Sequence, residues 1–240
     1  MIIRRKAMLI DGKAIAAKIA RDLKFKVQKY KSLKGRAPKL AIILIGDDLA
    51  SKIYVNLKVK KAKELGIEVE VRQDLNTDAD GIIVQLPGGE HLIEKVPPEK
   101  DVDGLTGRSR FLPAGVKAVL AVTPRNDTDI WVIVGQGRLI GKPLADYLEK
   151  QKVKVIRCDE FTKDLKTETL KGDVLVVATG VPNLIKKDMV KPGAIVIDCG
   201  SPKAEVDPAV AGIASVISPV PGGVGPLTVV SLLENVVEAS

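Results

Sequence analysis

The chain has 240 residues, 45% of them hydrophobic, and a formal charge of +8, enough length and apolar content for one large core or two modest ones. No apolar run approaches the roughly 18 to 20 residues that span a bilayer, and the basic start "MIIRRK" leads into mixed residues, not a signal-peptide core; a soluble cytoplasmic protein that does not use a membrane is expected. The charge favours acidic partners, but aromatics make up only 3% and acids are interspersed among the bases, which argues against nucleic acid and for a small molecule bearing phosphate.

Ile15, Ile19, Leu23 and Val27 recur at helical spacing and predict an amphipathic helix over residues 12–33. "KLAIILIGDD" reads as a buried strand ending at a Gly-Asp-Asp turn. The stretch "SKIYVNLKVKKAKELG" then reads as a helix, with Asp47, Asp48 or Ser51 available as its cap and Gly66 as its stop. "IEVEVRQD" and "DADGIIVQLPGG" supply two further strands, the second broken by Pro-Gly-Gly. "AGVKAVLAV" is a short helix, and the segment from "NDTDIWVIVGQG" to "VKVIRCDE" is a β-α-β unit. "DVLVVATG" and "AIVIDCG" are strands ending at glycine, and "SVISPVPGGVGPLTVVSLLENVVEA" is a Pro/Gly turn followed by a helix. The fold class expected is α/β, in two lobes with a cleft, the second a Rossmann-like doubly wound parallel sheet. Residues 1–113 with 226–240 are expected to form one domain and 114–225 the other.

The run "IWVIVGQGRLIGKP" carries Gly135, Gly137 and Gly141 between a strand and a helix, where glycines let the backbone turn tightly and approach a pyrophosphate. Its G-x-G-x-x-x-G spacing is one residue longer than the usual fingerprint. The following strand ends in Asp159 and Glu160, about where a ribose-reading acid is expected, so residues 135–140 (Gly135, Gln136, Gly137, Arg138, Leu139 and Ile140) form a candidate nicotinamide-dinucleotide loop. Tyr54 and Lys58, four apart on a helix, point the same way. A lysine serves as a base only where its pKa is lowered, and the neighbouring Lys52, Lys60, Lys61 and Lys63 leave a solvated charge as the alternative. His91 is the only histidine, so a Ser-His-Asp triad or multi-histidine zinc site lacks material, no metal site is expected, and Cys158 and Cys199 read as buried thiols.

"DGKAIAAKI", "AIILIGDDLASKIYVNLKVKKAKELGI", "GIIVQLP", "PEKDVDGL", "GAIVIDCG" and "PVPGGVGPLT" together resemble, in order and from end to end, the bifunctional methylenetetrahydrofolate dehydrogenase/cyclohydrolase family. The resemblance implies oxidation of 5,10-methylenetetrahydrofolate by hydride transfer to NAD(P)+, then hydrolysis of the methenyl product to 10-formyltetrahydrofolate. That is one-carbon chemistry leading to purine biosynthesis, carried out by a homodimer. By motif, the resemblance makes Lys58 the catalytic lysine, Tyr54 the ring that packs on folate, Gln85 the lysine's hydrogen-bond partner and Asp103 the acid that holds the pterin. It also implies Val84 and Leu86 beside Gln85, a loop of Pro221, Gly222, Gly225 and Thr228 at the cleft floor, and cofactor contacts from Thr179, Gly180, Gly200, Ser201 and Thr228. On the residues alone, Gln85 could simply satisfy a strand end and Asp103 simply cap a turn.

Three segments are shorter than the family pattern: a helix's worth of residues before "ADGIIVQ", the turn at Pro113, Ala114 and Gly115 (for which "VTPRND" is a competing alignment), and "DCGSPKAEVDP". Family habit points to NADP. Asp159 and Glu160 favour NAD, since a carboxylate repels a 2′-phosphate, although Arg138, Arg157 and Lys163 could offset that repulsion. NADP is the expectation and NAD the alternative. The rival readings are another two-lobed dehydrogenase without cyclohydrolase activity and a basic nucleic-acid-binding protein.

Overall fold

The computed structural model describes residues 7–124, 126 and 129–240; the basic start through Lys6 and most of "RND" in the competing alignment lie outside the described residues. The chain divides into two compact units. One contains the described residues up to Ile15 and Gly115–Leu227; the other contains Ala16–Ala114 and Thr228–Ser240.

The chain enters through a two-residue strand, β1 (Met8–Leu9), and α1 (Gly12–Lys34). The buried stripe of α1 is Ala16, Ala20, Leu23 and Val27, while Ile15 and Ile19 are half-buried on its flank. β2 (Lys39–Leu44), α2 (Leu49–Leu65), β3 (Glu68–Arg72), β4 (Gly81–Gln85) and the single turn α3 (Glu90–Ile93) follow. The three strands form a parallel sheet in the order β3-β2-β4. Its central strand is buried on both faces, which is why it reads as a continuous apolar run instead of an alternating one. Of the three candidate caps for α2, Asp48 is the one used: its carboxylate accepts from the Ser51 amide at 2.7 Å, and Gly66 ends the helix at φ 83°.

No helix intervenes between β3 and β4. The link over residues 73–80 is held by polar contacts: Arg36 forms a two-pronged pair with Asp80 at 2.7 Å per prong, and Lys39 pairs with Asp78 and Glu70. Val71 of β3 is left 49% exposed.

The other unit comprises α4 (Ala114–Val122), β5 (Ile130–Val134), α5 (Gly141–Lys150), β6 (Lys154–Cys158), α6 (Leu165–Thr169), β7 (Val174–Val177), β8 (Ile195–Asp198) and β9 (Val216–Ile217). The order is β1-β9-β8-β7-β5-β6, with every pairing parallel. From β5 the chain runs outward to β6, then returns to place β7 on the other side of β5. That reversal puts the ends of β5 and β7 at the switch point where doubly wound sheets bind ligands.

The N-terminal boundary differs from the expected one. Met8 and Leu9 pair with Val216 and Ile217, so residues up to Ile15 belong with the larger sheet and not with the segment ending at 113. Both strands span only two residues, too few to show a period in the sequence. Close packing joins the same regions, since a Cβ on Gly12 would lie 1.8 Å from the Gly223 carbonyl oxygen.

The last helix, α7 (Val224–Ala239), carries Asn235, only 1% exposed. Its amide donates to the carbonyls of Val102 (2.9 Å) and Leu112 (3.0 Å), fixing the loop that contains Asp103. Asn235→Leu strands both carbonyls in the interior and is expected to destabilise this unit by about 1–3 kcal/mol, measured as a lower urea midpoint at unchanged m-value.

Candidate active site

Lys58 lies in the middle of α2, half-buried, whereas Lys52, Lys60 and Lys63 on the same helix are exposed. Its Nζ donates to Oε1 of Gln85 at 2.9 Å. Gln85 is the last residue of β4, and its Nε2 donates to the Leu86 carbonyl at 2.8 Å. That second bond fixes the amide so that oxygen, not nitrogen, faces the lysine. Ser51, buried at the start of α2, donates from Oγ to the same Leu86 carbonyl at 3.3 Å. Gln85 thus does occupy a strand end, and from there it holds the lysine. Tyr54, 38% exposed, stands one turn before Lys58.

The two aspartates of "KDVDG" have separate tasks. Asp101 is buried and caps the turn, accepting from the amides of Leu105 (3.2 Å) and Thr106 (2.9 Å). Ser109 Oγ donates to the Asp101 carbonyl at 2.6 Å. Among the described residues no hydrogen bond engages the carboxylate of Asp103, which interacts with Lys58 through charge. Burial pushes the Lys58 pKa below the usual lysine range, and the Asp103 charge offsets this only in part. Burial likewise pushes Asp103 above the usual carboxylate range, opposed by Lys58 and reinforced by Asp101. The pair therefore combines an amine that gives up its proton more readily with a carboxyl that retains its proton more readily.

Val84 is buried in the small sheet's core, packed with residues such as Ile43 and Ile82, so its side chain is committed to packing. Leu86 is half-buried. Pro221, Gly222 and Gly225 belong to the unit of the larger sheet, and Thr228 to the unit that holds Lys58.

In the larger sheet, Gly135 follows β5 with φ 94°, and a Cβ there would lie 2.3 Å from the Ala178 carbonyl oxygen. A Cβ on Gly141 would lie 1.8 Å from the Gly135 carbonyl oxygen, while one on Gly137 meets nothing. The outer glycines therefore close the loop and the middle one leaves its outer side open to a ligand. Arg138 and Leu139 of this loop are exposed, and Ile140 is half-buried where α5 begins. Gln136 donates to the Ile133 carbonyl at 3.1 Å. Across the switch point, the Thr179 amide (2.7 Å), Thr179 Oγ1 (2.6 Å) and the Gly180 amide (2.9 Å) all donate to Glu205, a buried carboxylate. Gly200 donates to Asp198 at 2.8 Å, and Ser201 is exposed. Asp159, the first residue after β6, accepts from the Phe161 amide at 3.0 Å, and Glu160 is exposed.

A loop closed by two outer glycines at the switch point fits a dinucleotide's pyrophosphate. Ser51, Asp101 and Glu205 were not singled out for these positioning contacts, because each acts through backbone groups that a sequence does not display. Cys158 is buried, with its thiol pushed up to about 11; burial also raises Cys199. Among the described residues no group of three or more His, Cys, Asp or Glu gathers that could hold a metal ion, and no helix is long and apolar enough to cross a membrane.

A doubly wound sheet with its glycine loop at the switch point, in a chain that also presents a desolvated lysine, defines a nicotinamide-dependent dehydrogenase with acid–base chemistry of its own. The chain belongs to the tetrahydrofolate dehydrogenase/cyclohydrolase family: residues 112–240 match the model of its NAD(P)-binding domain and residues 10–79 that of its catalytic domain. It is thus an enzyme, an oxidoreductase and hydrolase of tetrahydrofolate one-carbon metabolism. The bifunctional protein FolD of Halothermothrix orenii is 40% identical across 96% of this chain and 97% of its own length. The crystal structure of the bifunctional FolD of Campylobacter jejuni, 36% identical, aligns with a TM-score of 0.90 over 97% of this chain and 98% of that one. The FolD of Trypanosoma brucei, complexed with NADP cofactor and inhibitor, aligns at 0.89 with 28% identity over 98% and 97%.

Because the folded-state pKa of Asp103 is raised, its contribution to stability is fully present below the unfolded carboxyl pKa near 3.8 and is lost as pH rises through the folded value. Asp103→Asn, which has no proton to lose, is therefore expected to gain stability relative to the parent as pH rises from 3 to 7. Melting temperatures of both proteins across that range check the sign.

Proposed function

We propose that this chain oxidises 5,10-methylenetetrahydrofolate to the 5,10-methenyl form and hydrolyses that product to 10-formyltetrahydrofolate, with Lys58, Gln85, Asp103 and Tyr54 as the catalytic set. The observation that carries the reading is the Lys58 Nζ to Gln85 Oε1 bond at 2.9 Å on an amine whose pKa burial has lowered. Tyr54 packs against the pterin ring, and Asp103 accepts from its aminopyrimidinone N–H groups. Leu86, Thr228 and the backbone of Val84 complete the folate contacts, with Pro221, Gly222 and Gly225 forming the loop that meets the substrate.

NADP, when bound, accepts the hydride from the methylene carbon. The chain's residues prepare the substrate for that step by fixing the folate through Asp103 and Tyr54. In the hydrolytic step, Lys58 in its neutral form takes a proton from water at Nζ as the water oxygen bonds to the methenyl carbon. The proton on Nζ then passes to N5 as the bond between N5 and that carbon breaks, while the new hydroxyl gives up its own proton to solvent as the formyl C=O forms, so that one proton is released overall. Gln85 orients the amine so that its lone pair faces the water, and Asp103 remains bound to the pterin throughout.

Gly135, Gln136, Gly137, Arg138, Leu139 and Ile140 would hold the cofactor's pyrophosphate, and Thr179, Gly180, Gly200, Ser201 and Thr228 would supply further contacts to the cofactor. The complex of the Trypanosoma brucei relative with NADP supports that dinucleotide. NAD is the second reading, favoured by the placement of Asp159 and Glu160 directly after β6. The unit containing Gly115–Leu227 serves as the nucleotide domain and the other as the folate domain. The enzyme acts in the cytoplasm as a homodimer, needs neither membrane nor nucleic acid, and supplies 10-formyltetrahydrofolate for purine biosynthesis.

Absorbance spectra recorded with methylenetetrahydrofolate and each nicotinamide cofactor in turn test the reading. Reduced cofactor should accumulate, and added methenyltetrahydrofolate should disappear faster than it does in buffer. Lys58→Met is expected to lose hydrolysis of the methenyl form almost completely while the cofactor Kd stays within about twofold, a change of roughly 0.4 kcal/mol. An equal loss of cofactor affinity would make Lys58 a structural residue.

A further inference from the structure

We propose that Asp146 and Glu149 on α5 limit how strongly this enzyme prefers NADP over NAD, by occupying the Arg157 fork that a 2′-phosphate would otherwise recruit. Arg157 lies on β6, two residues before Asp159. Its Nε donates to Glu149 Oε1 at 2.9 Å, and its Nη2 donates to Glu149 Oε2 at 2.7 Å and to Asp146 Oδ1 at 2.6 Å. Nη1 is the arm turned toward the glycine loop, 3.5 Å from Oε1 of Gln136. The guanidinium is therefore beside the cofactor loop, but its fork is occupied.

Lys142 Nζ pairs with the second oxygen of Asp146 at 2.6 Å, so two cations and two carboxylates cancel within one cluster. A bare ribose 2′-hydroxyl needs only an acceptor nearby, which Asp159 or Glu160 supplies. A guanidinium fork binds a 2′-phosphate with two parallel bonds, and Arg157 cannot offer the fork of Nε and Nη2 while Glu149 holds both. The lock is breakable, because the side chains of Arg157, Asp146 and Glu149 are 31%, 37% and 47% exposed, and pairs open to solvent to that degree are individually weak. The two acids thus act as specificity-determining residues without touching the cofactor, and they lie where a search confined to the glycine loop and the strand end does not look.

The inference rests on the glycine loop being the dinucleotide site. That reading fails separately, if Gly141→Ala leaves the KM for both dinucleotides unchanged. The inference itself is tested by the ratio of kcat/KM for NADP to that for NAD in Asp146→Asn/Glu149→Gln. The ratio is expected to rise at least tenfold over the parent, carried by a lower KM for NADP, and adding Arg157→Ala to the double variant is expected to abolish the rise. Glu149→Gln alone, which leaves Asp146 to support α5, is expected to move the ratio in the same direction by a smaller factor. An unchanged ratio in the folded double and single variants overturns the proposal. So does a rise that persists without Arg157, since loss of negative charge would then account for it.

Discussion

The role proposed for Lys58 depends on lowering the pKa of one amine by burial. A lysine on an exposed helix face holds its proton at neutral pH and is useless as a base. Lys58 has its pKa lowered by burial; its helix begins at Asp48 and is clasped to the end of β4 through Ser51 and the Leu86 carbonyl, which places Nζ against the Gln85 amide. A neutral acceptor is the right partner: a carboxylate at hydrogen-bond distance would hold the proton more tightly, whereas Oε1 of Gln85 orients the amine without adding charge. Asp103 adds a charge, but its attraction only partly offsets the effect of burial on Lys58.

Each supporting contact fixes a neighbour of the pair. Asp101 spends its carboxylate on the amides of Leu105 and Thr106, whereas Asp103 interacts with Lys58 through charge. Asn235 holds the same loop from the other end through the Val102 and Leu112 carbonyls. The larger sheet follows a parallel logic, with Glu205 gathering the Thr179 and Gly180 amides at the strand end opposite the glycine loop. In both units buried polar side chains shape a loop so that a different residue, or the loop backbone, is free to bind.

Much of this was legible in the sequence. The spacing of Tyr54 and Lys58, the stop at Gly66 and the strand–glycine–helix run at Gly135 follow from local periodicity and backbone chemistry, and each lies where expected. "AGVKAVLAV" forms a helix with those same bounds. What stayed hidden depends on partners distant in the chain. β1 and β9 are two residues long, and β1 exists only because it pairs with β9 across some 200 positions. Whether Lys58 was one more solvated charge could not be decided from a helix rich in lysines, because desolvation is supplied by the fold around it. Arg157 appeared available to offset nearby acids, yet α5 places Asp146 and Glu149 against it, and neither spacing is one that sequence reading tests. "KDVDG" drew attention to its second aspartate and hid the structural duty of the first.

The helix-free link between β3 and β4 shows how unevenly the small sheet distributes its duties. β2 stands between the two outer strands, and the helix-free link runs from the end of β3 to the start of β4, tethered by the Arg36–Asp80 and Lys39–Asp78 pairs. Val71 on the β3 margin is left exposed, whereas β4 ends in the amide that orients Lys58. A single residue inserted in β4 would turn Gln85 away from its lysine.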